Sequence, residues 1–433
     1  MAHTVLVLAY YYPPMGLSGV QRVAKFTKYL PQYGWNPIVV TTGPTLYYAE
    51  DQTLLHEVEA AGVEIVRTEP SLRVKKLLEK GVITMPRESV RKFISKSSSA
   101  LFVPDNKKKW AAKAVALAKD VVARHPVDVI FASGPPFSTV MAAAQLSAET
   151  GIPYVADYRD LWYGNQFHSY PTLWHKHRHQ KFEHQTLARA SRITVTNRRM
   201  KEFLIANYEF LDFHDVVILP HGWDPDDFAQ PMSAETRGRL FPNGSTDAFR
   251  LTFTGTFYDS VTPVPFFKAI KKLRKEHPEV KLELHFAGML RKEYQAKAHR
   301  MKLDDIIVNH GYLPHAESVS LIQQSDALWM MLGDARNVDT WAPAKLYEYF
   351  GTQKPILAST PKGAARNDAM AYGASYITDP YDVPAIVQAV LSMYNDWRTG
   401  RHMTPNRDFV LQHQRTVLTE SLVKVLQKAL RVV

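Results

Sequence analysis

Three segments bring charged side chains together with glycine or proline at spacings that suit an anionic ligand. In TWAPAKLYEYFGTQKPILAST, residues 340–360, Pro343 suits the first turn of a helix and Gly351 its end. Lys345 and Glu348 stand three apart and share one face of that helix, while Leu346 and Phe350 mark an apolar face. The helix start together with Lys345 can neutralise a pyrophosphate. Glu348, one turn further in, can accept both hydroxyl hydrogens of a ribose. A surface ion pair would also account for the lysine and the glutamate, though not for the Pro and Gly punctuation.

The segment SGPPFSTVMAAAQLSAETGIPYVADYRDLW spans residues 133–162. Ser138 can cap the helix that follows it, and Asp157, Arg159 and Asp160 emerge where a strand ends. Two carboxylates and an arginine at such a point can bind an acceptor, take a proton or steady charge at a reacting centre. The alternative is a structural Arg and Asp network. In YYYPPMGLSGVQR, residues 10–22, Gly16 and Gly19 allow close backbone approach, and the helix that follows presents unpaired N–H groups to an anion. As a pattern it is weaker: the G-x-G-x-x-G dinucleotide fingerprint occurs nowhere in the chain, and a flexible strand-to-helix turn fits equally well. HKHRHQKFEH, residues 175–184, has a metal-like composition, but on a helix its side chains point in several directions. It reads as a basic exposed helix, and no metal is assigned.

The elements that must position these residues follow an α/β grammar. Apolar strand signals alternate with amphipathic helices, the pattern of parallel sheets covered on both faces. TVLVLAY (4–10), a Gly/Pro loop, a helix from about Val20 to Tyr33 and NPIVVTT (36–42) make one βαβ unit. Further strands are expected at 63–68, 128–133, 154–158, 192–196 and 216–220. After HGWDPDDF (221–228) the grammar restarts, with strands at 250–257, 281–288, 306–311, 327–332 and 355–360. The expected domains are therefore a Rossmann-like domain over 1–221, a second Rossmann-like domain over 222–405, and a C-terminal helical segment over 406–433 that packs back toward the first.

A chain of 433 residues exceeds one ordinary hydrophobic core, which agrees with two domains. The absence of cysteine excludes disulfides, thiolate metal sites and cysteine nucleophiles. No apolar run is long enough to cross a bilayer, and the opening MAHTVLVLAYYYPP lacks a basic leader, so the expected location is cytoplasmic. The net charge of +11 is uneven: residues 72–124 hold 14 basic and 4 acidic residues. Such a stretch is either a solubilising helix face or an attractor of lipid headgroups, a lipid-pyrophosphate acceptor or nucleic acid. It lacks a recognised nucleic-acid motif with aromatic interleaving, so no nucleic-acid partner is assigned. The part from Leu72 to Lys113 instead implies peripheral attachment to the inner face of an anionic membrane.

The segment P-x-K-L-Y-E-Y-F-G-x-x-K-P-I-L-A resembles the donor-site helix of the family 4 retaining glycosyltransferases, in wording close to the bacterial branch that builds surface polysaccharides. SGPP…GIPYVADYRDLW, PDNKKKW (104–110) and HGWDPDDF are similar to further elements of that branch, in the same order along nearly the whole chain. The resemblance implies a GT-B fold, two Rossmann-like domains facing each other across a cleft. It implies a nucleotide diphosphate sugar as co-substrate, a glycan or lipid-linked acceptor, retention of configuration, a place in lipopolysaccharide or related polysaccharide synthesis, and no further cofactor. Carried over, Glu348 would bind the ribose and Lys345 would lie near the diphosphate, in the stretch Pro343 to Leu346. Gly19, with Gly16 before it, and Gly255, with Thr256 beside it, would be the phosphate-loop positions. Asp157, Arg159 and Asp160 would lie between donor sugar and acceptor. The chain departs from the wider family twice: Thr340, next to Asp339, stands where a donor-sugar glutamate is usual, and TGTFYDSVTP (254–263) lacks the usual arginine and lysine. Lys345, Arg336 or Arg366 would have to compensate. The alternatives are a GT-B nucleotide-sugar epimerase and a non-catalytic nucleotide-sugar-binding protein.

Overall fold

The computed structural model describes residues 2–16, 18–45, 49–69, 97–166, 168, 170–241, 247–401 and 403–431. Much of the basic stretch from Leu72 to Lys113 lies outside the described residues, which resume at 97. Contacts divide the chain into two compact units, Met1–His221 with Arg415–Val433, and Gly222–Gln414.

The first unit runs β1 (His3–Leu8), α1 (Ser18–Tyr29), β2 (Trp35–Thr42), α2 (Gln52–Ala60), β3 (Glu64–Thr68), α3 (Lys108–Arg124), β4 (Val129–Gly134), α4 (Phe137–Thr150), β5 (Tyr154–Tyr158), α5 (Leu173–Leu187), β6 (Arg192–Val195), α6 (Arg198–Asn207) and β7 (Val216–Ile218). The strands pair in parallel in the order β3-β2-β1-β4-β5-β6-β7. The pleat sends alternate side chains to opposite faces. Leu6, Leu8, Ile130 and Ala132 join α3 and α4 on one side, and Val5, Val7, Val129 and Phe131 join α1 on the other. Both sets are apolar because both faces are covered, which is why these strands read as continuous apolar runs.

The second unit runs α7 (Pro225–Ala229), α8 (Ala234–Leu240), β8 (Phe249–Thr254), α9 (Val264–Glu276), β9 (Leu282–Ala287), α10 (Lys292–Arg300), β10 (Ile307–Gly311), α11 (His315–Gln323), β11 (Ala327–Met331), α12 (Ala344–Thr352), β12 (Ile356–Ser359), α13 (Ala364–Tyr372), β13 (Ser375–Thr378), α14 (Val383–Arg398) and α15 (Arg407–Gln412). Its parallel sheet has the order β10-β9-β8-β11-β12-β13, the same winding as the first. β13 is a half-buried edge strand that the apolar-run criterion passed over.

The last helix, α16 (Arg415–Leu430), places Leu418, Leu422, Val425 and Leu426 in the core of the first unit, on the α1 face. The boundary expected at 405/406 is corrected to 414/415. Phe409 of α15 packs on Phe350 at 5.2 Å between ring centroids, and Trp223 donates through its backbone N–H to His413 and through its indole to Val410. These contacts keep α15 with the second unit.

Candidate functional site

In each sheet the chain reverses its direction of winding beside the first strand, and an open parallel sheet offers its ligand crevice there, beyond the carboxyl ends of the strands. In the second unit this edge is built on glycine. Gly255 follows β8 with a φ of 118°, and Gly288 follows β9 with a φ of 114°. A Cβ on Gly288 would stand 2.1 Å from the Gly255 carbonyl oxygen, so two loop backbones touch where any side chain would part them. After β11, a Cβ on Gly333 would meet the Ser260 carbonyl at 2.0 Å. Gly255 is exposed and Thr256 half-buried, which leaves backbone and hydroxyl at the lip of this edge.

The helix α12 begins at the same edge. Pro343 is its N-cap and supplies no side-chain cap, so the first turn keeps donors for an anion. Lys345 reaches back over β8: its ammonium donates to the Thr254 carbonyl at 3.0 Å and lies 3.8 Å from the centre of the Phe253 ring. It would stand 3.2 Å from a Cβ on Gly255. Burial of the ammonium lowers its pKa to about 7, against the opposing pull of Glu348. A cation held this way is poorly solvated and poised for an anionic partner. Tyr349, buried behind it, donates its hydroxyl to Thr254 Oγ1 or accepts from it at 3.1 Å and accepts the Thr254 N–H at 2.8 Å, fixing β8 to α12.

One turn along, Glu348 receives a hydrogen bond from His315 Nε2 at 3.1 Å, and His315 Nδ1 lies 3.7 Å from Asp227. Sequence reasoning missed His315 and Asp227 because they are distant in the chain; HGWDPDDF gave a signal only for the second. Two expectations about α12 are corrected. Leu346 is fully buried in the core, so its side chain does not reach a ligand, and only its backbone is near the helix start. Gly351 does not end the helix: Gln353, with a φ of 57°, is the C-cap, and Gly351 is small because the Trp223 ring lies where a Cβ would come within 2.8 Å. Thr340 is buried and bonds to the Asn337 carbonyl at 2.7 Å, while Asp339 packs on Gly363 at the start of α13. Arg366 donates to Thr360 at 3.3 Å.

In the first unit the three expected catalytic residues separate by environment. Asp157 is completely buried in β5, with both oxygens occupied: Arg22 reaches them at 3.0 and 2.8 Å, Ser133 at 2.7 Å and Thr194 at 2.7 Å. Burial would raise its pKa, but the Arg22 charge and these hydrogen bonds outweigh it and hold the carboxyl below its usual range. Arg22 also donates to the Leu219 and Pro220 carbonyls at 2.8 Å each. Asp157 is therefore a strut between α1, β5 and the end of the unit, which corrects its expected catalytic role. Arg159 is buried too and donates to the carbonyls of Gly19, Pro135 and Gly134, the last at 3.4 Å, so it ties the end of β4 to the start of α1. Its guanidinium is spent on backbone, and it holds Gly19 in place. Asp160 is half-buried, and burial raises its pKa against the opposing charge of Arg159. Of the three it alone is accessible to solvent.

Gly16 is buried and donates its N–H to the Ala49 carbonyl at 2.9 Å, within an antiparallel bridge that pairs Met15 with Glu50, so that N–H is not open to a phosphate. Ser138 does not cap α4; Asp105, from PDNKKKW, accepts its N–H at 2.9 Å and its hydroxyl at 2.7 Å. The histidine-rich helix α5 is exposed on one side only. His179 accepts the Trp162 indole at 2.9 Å, and Glu183, buried with its pKa raised to about 7, accepts from Tyr208 at 2.7 Å and the Tyr163 N–H at 2.9 Å.

Residues 18–222 match the family model described as glycosyl transferase 4-like domain, and residues 248–396 match that of glycosyl transferases group 1. No curated protein matches the chain. Among solved structures, sucrose-phosphate synthase from Thermosynechococcus elongatus is similar with a TM-score of 0.67 at 12% identity, over 100% of each chain. HepE of Anabaena in complex with UDP is similar at 0.63 and 12%, over 98% of this chain and 99% of that one. UDP-GlcNAc 2-epimerase from Neisseria meningitidis bound to UDP-GlcNAc is similar at 0.60 and 12%, over 98% and 100%. At such identity the likeness is one of fold, while the family models cover most of both units. The chain belongs to the glycosyltransferases of the GT-B fold.

Proposed function

We propose that this glycosyltransferase moves a sugar from a nucleotide diphosphate sugar to a glycan or lipid-linked acceptor, with retention of configuration, in the building of bacterial surface polysaccharide. The observation that carries the reading is the poorly solvated Lys345 ammonium at the open start of α12, beside the glycine edge of β8, with Glu348 one turn further in. Negative charge accumulates on the diphosphate as the glycosidic C–O bond breaks, and a cation plus helix N–H groups already in place stabilise it without reorganising. Glu348, oriented by His315, accepts the ribose hydroxyls. Thr256 and the Gly255 backbone line the phosphates, Gly19 is the phosphate-loop glycine of the first unit, and Asp160 takes or steadies the acceptor proton. That HepE and the Neisseria epimerase bind UDP or a UDP-sugar supports a nucleotide-sugar donor.

Thermal shift with UDP-, GDP- and dTDP-sugars tests the donor, since a ligand at 100 times its Kd stabilises by about 2.7 kcal/mol. Glu348→Ala is expected to weaken the preferred donor by about tenfold or more, the worth of a hydrogen bond to a charged group. Unchanged affinity would remove Glu348 from the ribose site. An epimerase would convert the donor with no acceptor present, whereas the proposed transferase consumes it only with one.

A further inference from the structure

The start of α5 carries large apolar side chains in water. Leu173 is 83% exposed and Trp174 58%. Beside them, the helical turn at 97–101 ends in Leu101 and Phe102, 76% and 43% exposed. His175 Nε2 lies 3.1 Å from the Ala100 carbonyl, which holds that turn against the first turn of α5. Four large apolar groups from two separate segments therefore form one cap. Scattered exposed leucines are ordinary on a globular surface; a cluster of this size marks an interaction site.

The cap is flanked by cations. Lys176 and Lys181 of α5 and Lys108, Lys109 and Lys113 of α3 are exposed. Arg178 lies over both Trp174, at 5.4 Å, and Phe182, at 4.6 Å, and Lys108 lies over Phe182 at 5.8 Å, so charge from both helices meets at this end. The neighbouring acids do little to offset it: Glu183 is buried beneath α5, and Asp105 is engaged at the start of α4. We infer that this surface docks the first unit on an anionic lipid bilayer. Leu101, Phe102, Leu173 and Trp174 enter the boundary between headgroups and acyl chains, and the lysines pair with lipid phosphates. A nucleic acid would use the lysines but leave the leucines in water. No helix among the described residues is long and apolar enough to cross a membrane, so the attachment is peripheral. The inference stands apart from the donor site.

Co-sedimentation of the full chain with vesicles tests it, comparing phosphatidylcholine alone with a mixture holding roughly one-third phosphatidylglycerol. The chain should sediment with the anionic vesicles and be released by salt. Leu173→Ser with Trp174→Ser should weaken binding by about tenfold or more, with the Tm unchanged because both side chains are solvent-exposed. Lys176→Glu with Lys181→Glu should abolish the preference for anionic lipid. Equal sedimentation of wild type and both double variants, absence of sedimentation with either vesicle, or displacement from vesicles by a duplex oligonucleotide would each overturn the proposal.

Discussion

Lys345 has its ammonium between an aromatic ring and a carbonyl, and burial there keeps its pKa at about 7. A diphosphate placed beside it favours the charged form and raises that value. At pH above 7 binding must then take up a proton, and donor affinity declines as pH rises from about 7 to about 9. Calorimetry in buffers of different ionisation enthalpy measures the proton directly; a flat Kd and no uptake would place the diphosphate elsewhere. Asp157 calls for the opposite kind of experiment. Asp157→Ala leaves the Arg22 guanidinium buried without its counter-charge, which costs about 3–5 kcal/mol and should lower the urea midpoint. A variant of full stability that lost only turnover would return Asp157 to the chemistry. The contrast between these two residues is electrostatic: the Lys345 ammonium is hydrogen-bonded to a neutral carbonyl, whereas the Asp157 carboxylate already holds an arginine and two hydroxyls.

At the scale of elements, the donor edge depends on how closely two loop backbones approach. Gly288→Ala puts a methyl group where the Gly255 carbonyl stands, at a φ of 114° that also strains any side chain. The expected loss is about 1–3 kcal/mol of stability, together with weaker donor binding because Gly255 is pushed from its place. Denaturant unfolding and donor titration on the same sample check both; normal stability would show that the loops part easily. Helix α12 was legible as a segment because Pro343 and the apolar positions Leu346 and Phe350 set its phase. Its end was misplaced, since Gly351 is required by the neighbouring Trp223 ring rather than by a left-handed cap. Residue type alone does not separate those two reasons for a glycine.

The whole molecule is two sheets with separate cores and unequal connectivity. Residues 222–414 are continuous and enclose their own core, whereas the first unit needs α16 from the far end of the chain. A fragment of residues 222–414 should therefore unfold cooperatively and retain nucleotide binding, as a domain with its own core does. Ending the chain after Gln414 should instead destabilise the first unit, because Leu418, Leu422 and Leu426 leave a gap against α1, β4 and β5. Differential scanning calorimetry of the two shortened chains separates these outcomes. A truncated chain with both transitions unchanged would mean that α16 contributes no core.

The amino-acid sequence by itself determined the α/β class and the repeat of the Rossmann-like unit, because strands buried on both faces must be apolar throughout and helices between them must be amphipathic. It also placed Lys345 and Glu348 on one helix face, a matter of local geometry. Tertiary structure decided what those residues meet: His315 and Asp227 lie 33 and 121 positions from Glu348 and come near only when α11 and α7 pack beside α12. It also divided Asp157, Arg159 and Asp160, adjacent in sequence, into a buried strut, a backbone tie and an accessible carboxyl. Alternation along a strand sets which way a side chain points. Whether it meets arginine, carbonyls or open space depends on chain segments that a local pattern does not contain.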